Sequence, residues 1–262
     1  MHPDIVKIGP LTIHSFGLMM AIAFLVGYYI LTWEVKRRGD GEKLASDLIF
    51  WAAIGGIIGA KLFSVFENFG DFLSDPIHTL FSGSGFVFHG GLMGGTISVI
   101  IILHIYKKPI GTYADIAGPI ILIGQGIGRI GCFFNGDAHG YPTTMPWGLI
   151  YSPESIAGQI YPGLPLHPTQ LYEMVLNLII FGVLWKLRKK LNVNGHLFLL
   201  YVILYSAARI FVEHFRADKL TYFGNYSAAQ TIGVIGIVLG VTLMFYLKKN
   251  FGTAGRSKSI NA

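Results

Sequence analysis

Apolar residues gather into seven long runs separated by short polar or basic breaks. The runs cover approximately His14–Val35, Leu48–Phe66, Phe86–Tyr106, Tyr113–Phe134, Leu171–Leu187, Leu197–Phe215 and Ala228–Leu247. A helix needs about 20 residues to cross the hydrocarbon of a bilayer, and each run is close to that length. Leu171–Leu187 is the shortest. The pattern predicts an all-α, polytopic membrane protein with about seven transmembrane helices. Glycine and serine within the runs, as in Gly55-Gly56-Ile-Ile-Gly59-Ala60, suit close approach of neighbouring helices.

Composition agrees with a chain that faces lipid. Charged residues make up 13% of the sequence, hydrophobic residues 52%, and the mean hydropathy is +0.55. A soluble domain carries roughly 25% charged residues. No linker divides the 262 residues, so a single integral-membrane domain over 1–262 is expected. The lone cysteine, Cys132, rules out an internal disulfide framework and a cysteine-rich metal site. The first apolar run has neither a basic leader nor a small-x-small cleavage site, and reads as a retained helix.

The net charge of +6 points to bilayer orientation rather than to nucleic acid, because the basic residues cluster beside the apolar runs. Lys36, Arg37, Arg38 and Lys43 follow the first run, and Lys107 and Lys108 the third. Lys186, Arg188, Lys189 and Lys190 end the fifth, and Lys248, Lys249, Arg256 and Lys258 follow the last. Those fourteen lie on one side of the predicted topology, against Lys7, Arg216 and Lys219 on the other. The positive-inside rule then sets the N-terminus outside and the C-terminus in the cytoplasm.

Three basic residues are left inside the runs: Lys61, Arg129 and Arg209. Each is expected toward the outer end of its helix, as are His89 at the start of the third and Phe16 at the start of the first. Lys61 either snorkels to the headgroups or joins a pocket. Arg129, among Gly124, Gly128 and Gly131, and Arg209, one turn before Glu213, favour a lined cavity. An arginine within the membrane costs ~2.5–3.5 kcal/mol on insertion scales, so it needs a partner or a purpose. Arg209 and Glu213 can pair on one helix face. The glycines let another helix or a lipid headgroup approach the backbone. The Gly126-Ile-Gly128-Arg-Ile-Gly131 match to a dinucleotide fingerprint lacks the strand and acidic residue that such a site needs.

His89, before four glycines and facing two arginines, is the candidate proton acceptor. Thr169 is expected to cap the helix after His167-Pro168, with Glu173 in the opening of that helix, where a carboxylate suits the dipole. Ser227 and Gln230 read as a capping box. The connection Asn135–Thr169, about 35 residues with Tyr141, Trp147, Tyr151 and Tyr161, suits a binding or lid role at the interface.

With these motifs in place the chain resembles the prolipoprotein diacylglyceryl transferase family over nearly its whole length. The resemblance rests on His14-Ser-Phe-Gly-Leu-Met, His89-Gly-Gly-Leu-Met-Gly, Gly128-Arg129-Ile-Gly131 with Asn135-Gly136, His167-Pro-Thr-Gln-Leu-Tyr-Glu173 and Arg209-Ile-Phe-Val-Glu213, in that order and spacing. It implies transfer of a diacylglyceryl group from phosphatidylglycerol to the lipobox cysteine of a preprolipoprotein signal peptide, with release of glycerol phosphate. The setting it implies is the bacterial cytoplasmic (inner) membrane, with the site toward the outer face. It carries headgroup-binding roles onto Arg129 and Arg209, the essential histidine onto His89, and substrate-binding roles onto Asn135, Gly136 and Glu213. Lys61 and His167 would support them, and neither metal nor cofactor is needed.

Three positions depart from the family pattern. Phe16 stands where tyrosine is usual, Cys132 where asparagine is usual, and Asp137 in place of glutamate. The first two remove hydrogen-bonding capacity and the third shortens a carboxylate's reach. The alternatives are an altered or binding-only family member and a transporter of anionic lipid. The latter would usually show internal repeats, and none is clear. A metal-dependent hydrolase using His89, His139, His167 and His214 lacks the paired-histidine motif such enzymes carry.

Overall fold

The computed structural model describes residues 4–8, 11–81, 85–191, 193–219, 221–223 and 226–251. Among them, seven helices are long and apolar enough to cross a membrane: α1 (Ser15–Arg37), α2 (Glu42–Glu67), α5 (Phe88–Ile105), α6 (Ile110–Asn135), α8 (Thr169–Leu187), α9 (His196–Glu213) and α10 (Ala228–Phe251). Short helices α3 (Phe69–Ser74) and α4 (Pro76–Phe81) follow α2, and α7 (Ile156–Ile160) lies in the connection from α6 to α8. The protein is an all-α, multi-pass membrane protein.

Each helix corresponds to one predicted run, and the differences lie at the ends. α2 begins at Glu42, six residues before the apolar run, and α1 continues to Arg37. Hydropathy marks where lipid begins, whereas helical hydrogen bonding continues into the headgroup layer. His14, expected to open the first helix, instead ends a short strand, β2 (Leu11–His14), paired antiparallel with β1 (Asp4–Ile8).

The helices form two compact units, 28–113 and 1–27 with 114–262. In the first unit α2 and α5 run antiparallel and meet backbone to backbone. A Cβ on Gly59 would lie 2.3 Å from the Gly90 carbonyl oxygen, and one on Gly94 would lie 2.2 Å from that of Gly55. Small residues thus replace side-chain interdigitation with direct helix contact. At the basic end of this unit, Asp40 accepts hydrogen bonds from the Lys108 ammonium and the Tyr113 hydroxyl. These donors hold the Asp40 carboxyl below the usual carboxylate range. Glu34, itself buried, pairs with Arg37 and Arg38.

In the second unit α6, α8 and α9 share an apolar core of Leu122, Ile180, Leu184, Leu197 and Tyr201. α10 lies along α9 through Gly233, Gly236 and Gly240, which face Ile210, Ser206 and Ile203. Asp115 of α6 accepts from the backbone amides of Gly195 (2.8 Å) and Phe198 (2.9 Å), satisfying the first turn of α9 from outside that helix. The predicted capping box is present: Ser227 Oγ accepts from Gln230 N at 3.2 Å, and Gln230 Oε1 from Ser227 N at 3.0 Å. β5 (Thr221–Phe223) and β6 (Tyr226–Ser227) pair just before α10.

The long α6–α8 connection is ordered by backbone pairing. β3 (Leu149–Ile150) pairs with β4 (Pro165–Leu166), and Leu166 also bridges Pro142. Gly140 bridges Arg216, while Tyr141 N donates to Phe215 O and Ala217 N to His139 O. The connection is therefore laced to the chain leaving α9.

Candidate functional site

Three helices of the second unit deliver charge to one place. Arg129 comes from α6, Glu173 from α8, and Arg209 with Glu213 from α9. Arg129 Nη2 donates to Glu173 Oε1 at 2.8 Å, and the other carboxylate oxygen lies 4.0 Å from Arg209 Nη1. Arg209 Nη1 lies 2.7 Å from Glu213 Oε2, the predicted pair. Among the described residues neither atom meets hydrogen-bond geometry with a partner, so the contact is an ion pair rather than an aligned hydrogen bond. Glu213 Oε2 is also 4.0 Å from Arg216 Nε, and Arg216 holds Asp218 with two bonds of 2.9 Å. Burial raises the Asp218 carboxyl, but the Arg216 guanidinium outweighs it and leaves Asp218 below the usual range. The result is an alternating ladder, Arg129–Glu173–Arg209–Glu213–Arg216–Asp218, with three charges of each sign.

Exposure is unequal along the ladder. The side chains of Glu173 and Glu213 are 3% exposed, whereas Arg129 is 21% and Arg209 17% exposed. The carboxylates brace the guanidiniums from within, and the guanidiniums keep an open side. Paired, partly exposed arginines in low dielectric are suited to a tetrahedral oxyanion.

Sequence reasoning placed Glu173 in the opening turn of a helix capped by Thr169, and both assignments are corrected. The N-cap position of α8 is Pro168, and no side-chain cap is made there among the described residues. Thr169 is the first helical residue and its hydroxyl donates to Ala138 O. Glu173 lies a turn further on, facing inward. The signal was available in the spacing: Gln170, Glu173, Asn177, Ile180 and Leu184 form one buried stripe. Polar residues on the face that becomes apolar deeper down mark an internal polar layer. Tyr205 and Arg216 were likewise not singled out as site residues; Tyr205 donates to Glu173 Oε1 at 3.5 Å.

The end of α6 and the turn after it hold Cys132, Asn135, Gly136 and Asp137. Cys132 is buried, and its sulfur accepts from Arg129 Nη1 at 3.6 Å. Asn135 Nδ2 donates to Asp137 Oδ1 at 3.1 Å. Gly136 (φ 78°) and Ala138 (φ 59°) both take left-handed backbone, which costs a non-glycine residue about 1–3 kcal/mol. The turn is fastened on three sides to offset this. Ala157 N donates to Gly136 O, Gln170 Nε2 to Asp137 O, and Thr169 to Ala138 O. A Cβ on Gly136 would meet Ser155 Cβ at 2.7 Å, so glycine is needed there twice over. Phe16 backs this turn through Gly131, where a Cβ would lie 3.1 Å from the Phe16 Cα. Among the described residues nothing lies within 4 Å of a Cβ placed on Gly124 or Gly128.

His167 belongs to an aromatic cluster at the mouth of α8. Trp147 Nε1 donates to the Tyr172 hydroxyl at 2.7 Å, and that hydroxyl is hydrogen-bonded to His167 Nδ1, 3.0 Å away. Burial lowers the imidazole's affinity for a second proton, which agrees with a neutral ring. Lys61 and His89 lie in the 28–113 unit. Lys61 is buried in α2 with its ammonium 5.0 Å from the centre of the Phe86 ring. His89 is exposed in the first turn of α5, its ring edge-on to Phe88.

The family model described as prolipoprotein diacylglyceryl transferase matches residues 3–246. Curated relatives named phosphatidylglycerol–prolipoprotein diacylglyceryl transferase include one from Nostoc sp., 35% identical over 94% of this chain and 89% of its own. One from Staphylococcus haemolyticus is 36% identical over 93% of this chain and 87% of its own. One from Fusobacterium nucleatum is 37% identical over 95% of this chain and 98% of its own. Seven membrane helices and a match over almost the full length leave one assignment: the chain belongs to the prolipoprotein diacylglyceryl transferase family.

Proposed function

We propose that this chain transfers the diacylglyceryl group of phosphatidylglycerol to the lipobox cysteine of a preprolipoprotein. It would act as a single domain in the bacterial cytoplasmic membrane, with its site toward the outer face. The names of its relatives supply the two substrates. The observation that carries the reading here is the pair Arg129 and Arg209 on either side of Glu173, with their exposed faces free for a phosphodiester.

The chemistry follows from what a phosphodiester and a thiol can do. The cysteine sulfur forms a bond to the glyceryl carbon that carries the phosphate. The carbon–oxygen bond breaks with its electron pair going to the phosphate oxygen, and the thiol proton passes to a base. The products are a thioether and glycerol phosphate. Arg129 and Arg209 hold the phosphate and stabilise the charge that grows on the departing oxygen. A free thiol ionises near pH ~8.5, so its proton must be taken or its anion favoured. His89 is assigned that task, as base or by orienting the thiol. Asn135 and Gly136 are assigned to headgroup binding, and Lys61, Phe16, Cys132, Asp137 and His167 to supporting roles. The acyl chains enter sideways from lipid and the signal peptide from the outer face.

Purified protein incubated with radiolabelled phosphatidylglycerol and a lipobox peptide should place label on the peptide cysteine. Arg129→Gln and Arg209→Gln should each reduce the rate by at least ~10²-fold, the scale for loss of one oxyanion-stabilising donor. Folded protein that binds the lipid but yields no thioether would overturn the transfer reading. Headgroup translocation in proteoliposomes without thioether formation would replace it with transport.

A further inference from the structure

The ladder is neutral as it stands, so an arriving phosphate competes for the guanidiniums with the carboxylates already beside them. Arg129 is the less available, because Glu173 accepts a hydrogen bond of 2.8 Å from it. Arg209 is the more available. Its contact with Glu213 lacks hydrogen-bond geometry, and its approach to Glu173 is 4.0 Å. Glu213 then needs somewhere to go, because an unpaired carboxylate that is 3% exposed is strongly disfavoured. Arg216 Nε lies 4.0 Å from the same Glu213 oxygen, about 1 Å beyond charge-assisted hydrogen-bond distance.

From this juxtaposition we infer that Arg216 is a positioning residue: it receives Glu213 when an anion binds, and so releases Arg209 to the phosphate. The inference rests on the phosphate-binding role proposed above for Arg209. Asp218 is the counterweight. Its two bonds to Arg216 hold that guanidinium away from Glu213 until the anion displaces the carboxylate. The neighbouring groups are accounted for. Glu173 stays on Arg129, and His139 contributes charge attraction to Asp218. The exchange moves no proton and breaks no covalent bond. It converts a closed ion-pair ladder into an open anion site.

Two substitutions break the same Arg216–Asp218 bridge and should act in opposite directions. Arg216→Gln strands Glu213 on Arg209, and should raise the KM for phosphatidylglycerol by about tenfold with a smaller change in kcat. Asp218→Asn leaves Arg216 freer to take Glu213, and should lower that KM by roughly two- to threefold. Arg216→Lys retains a charge in reach of Glu213 and should recover most of the loss. A purely structural bridge would give the same sign for both bridge-breaking variants, and that result, or an unchanged KM in folded Arg216→Gln, overturns the inference. If Arg216→Gln does not fold, the sign for Asp218→Asn decides. Binding of wild-type protein to phosphatidylglycerol against phosphatidylcholine in nanodiscs tests the underlying reading separately. No preference for the anionic lipid removes the phosphate site itself. A preference kept alongside same-sign variants removes only the exchange.

Discussion

Glu173 is the residue on which both intramembrane arginines depend, through a 2.8 Å bond to Arg129 and a 4.0 Å approach to Arg209. Breaking a buried ion pair costs ~3–5 kcal/mol, and the partial exposure of Arg129 favours the lower end of that range. Glu173→Gln is therefore expected to lower stability in detergent by about 3 kcal/mol and transfer by tenfold or more, since both guanidiniums lose their common brace. Thermal melts beside the transfer assay check it; an unchanged melting temperature would show that the arginines need no brace. His167 makes a prediction of different sign. Its folded-state pKa lies below the ordinary value of 6.5, so the unfolded chain binds the extra proton more readily. Stability should be flat above pH 6.5 and fall as pH drops from 6.5 through the lowered folded value. The imidazole must then charge inside the Trp147–Tyr172–Phe215 cluster. His167→Gln should flatten that part of a stability–pH curve, and an unaltered curve would remove His167 as its source.

At the scale of elements, the α2–α5 contact makes the sharpest demand on sequence. A methyl group at Gly94 would be driven to 2.2 Å from the Gly55 carbonyl oxygen and 2.9 Å from the Gly59 Cα, with backbone on both sides and nothing free to rotate away. Overpacking of this kind costs typically ~1–3 kcal/mol. Gly94→Ala should lose that much, whereas Gly182→Ala in α8, with nothing within 4 Å, should be neutral or gain up to ~1 kcal/mol. Equal effects of the two substitutions would mean that helix propensity rather than close contact governs α2 and α5. The glycine-rich runs announced such packing, because small residues are the means by which helices touch in lipid. Other features were not legible because they join distant segments. Asp115 caps α9 from α6, and Gly140 pairs with Arg216, in each case by hydrogen bonds spanning more than 70 residues. A linear pattern records which face of a helix is apolar, but not which neighbour that face meets. Glu173 falls between these cases. Its inward stripe was written in the spacing, its partner Arg129 was not.

At the scale of the whole molecule, the chain divides its residues between lipid, headgroups and polar contacts within each unit. Seven apolar runs became seven helices because a chain in hydrocarbon must satisfy its backbone internally. Two of the three basic residues left inside the runs, Arg129 and Arg209, joined buried carboxylates in the ladder because lipid offers them no other partner. What hydropathy does not fix is the direction in which the bundle is threaded, and the basic residues decide that. The topology expected from the sequence sets fourteen lysines and arginines against three. Inverting the topology would carry the larger set across the membrane, against the bias that sets orientation during insertion. Glu154, in the α6–α8 connection, is therefore expected outside, and Lys189, after α8, in the cytoplasm. The native Cys132 is buried and should stay silent toward a membrane-impermeant maleimide, so it serves as the internal blank. Glu154→Cys should label in intact cells and Lys189→Cys only after the membrane is opened. The reverse pattern would place the exposed faces of Arg129 and Arg209 toward the cytoplasm, where no exported lipobox peptide could reach them.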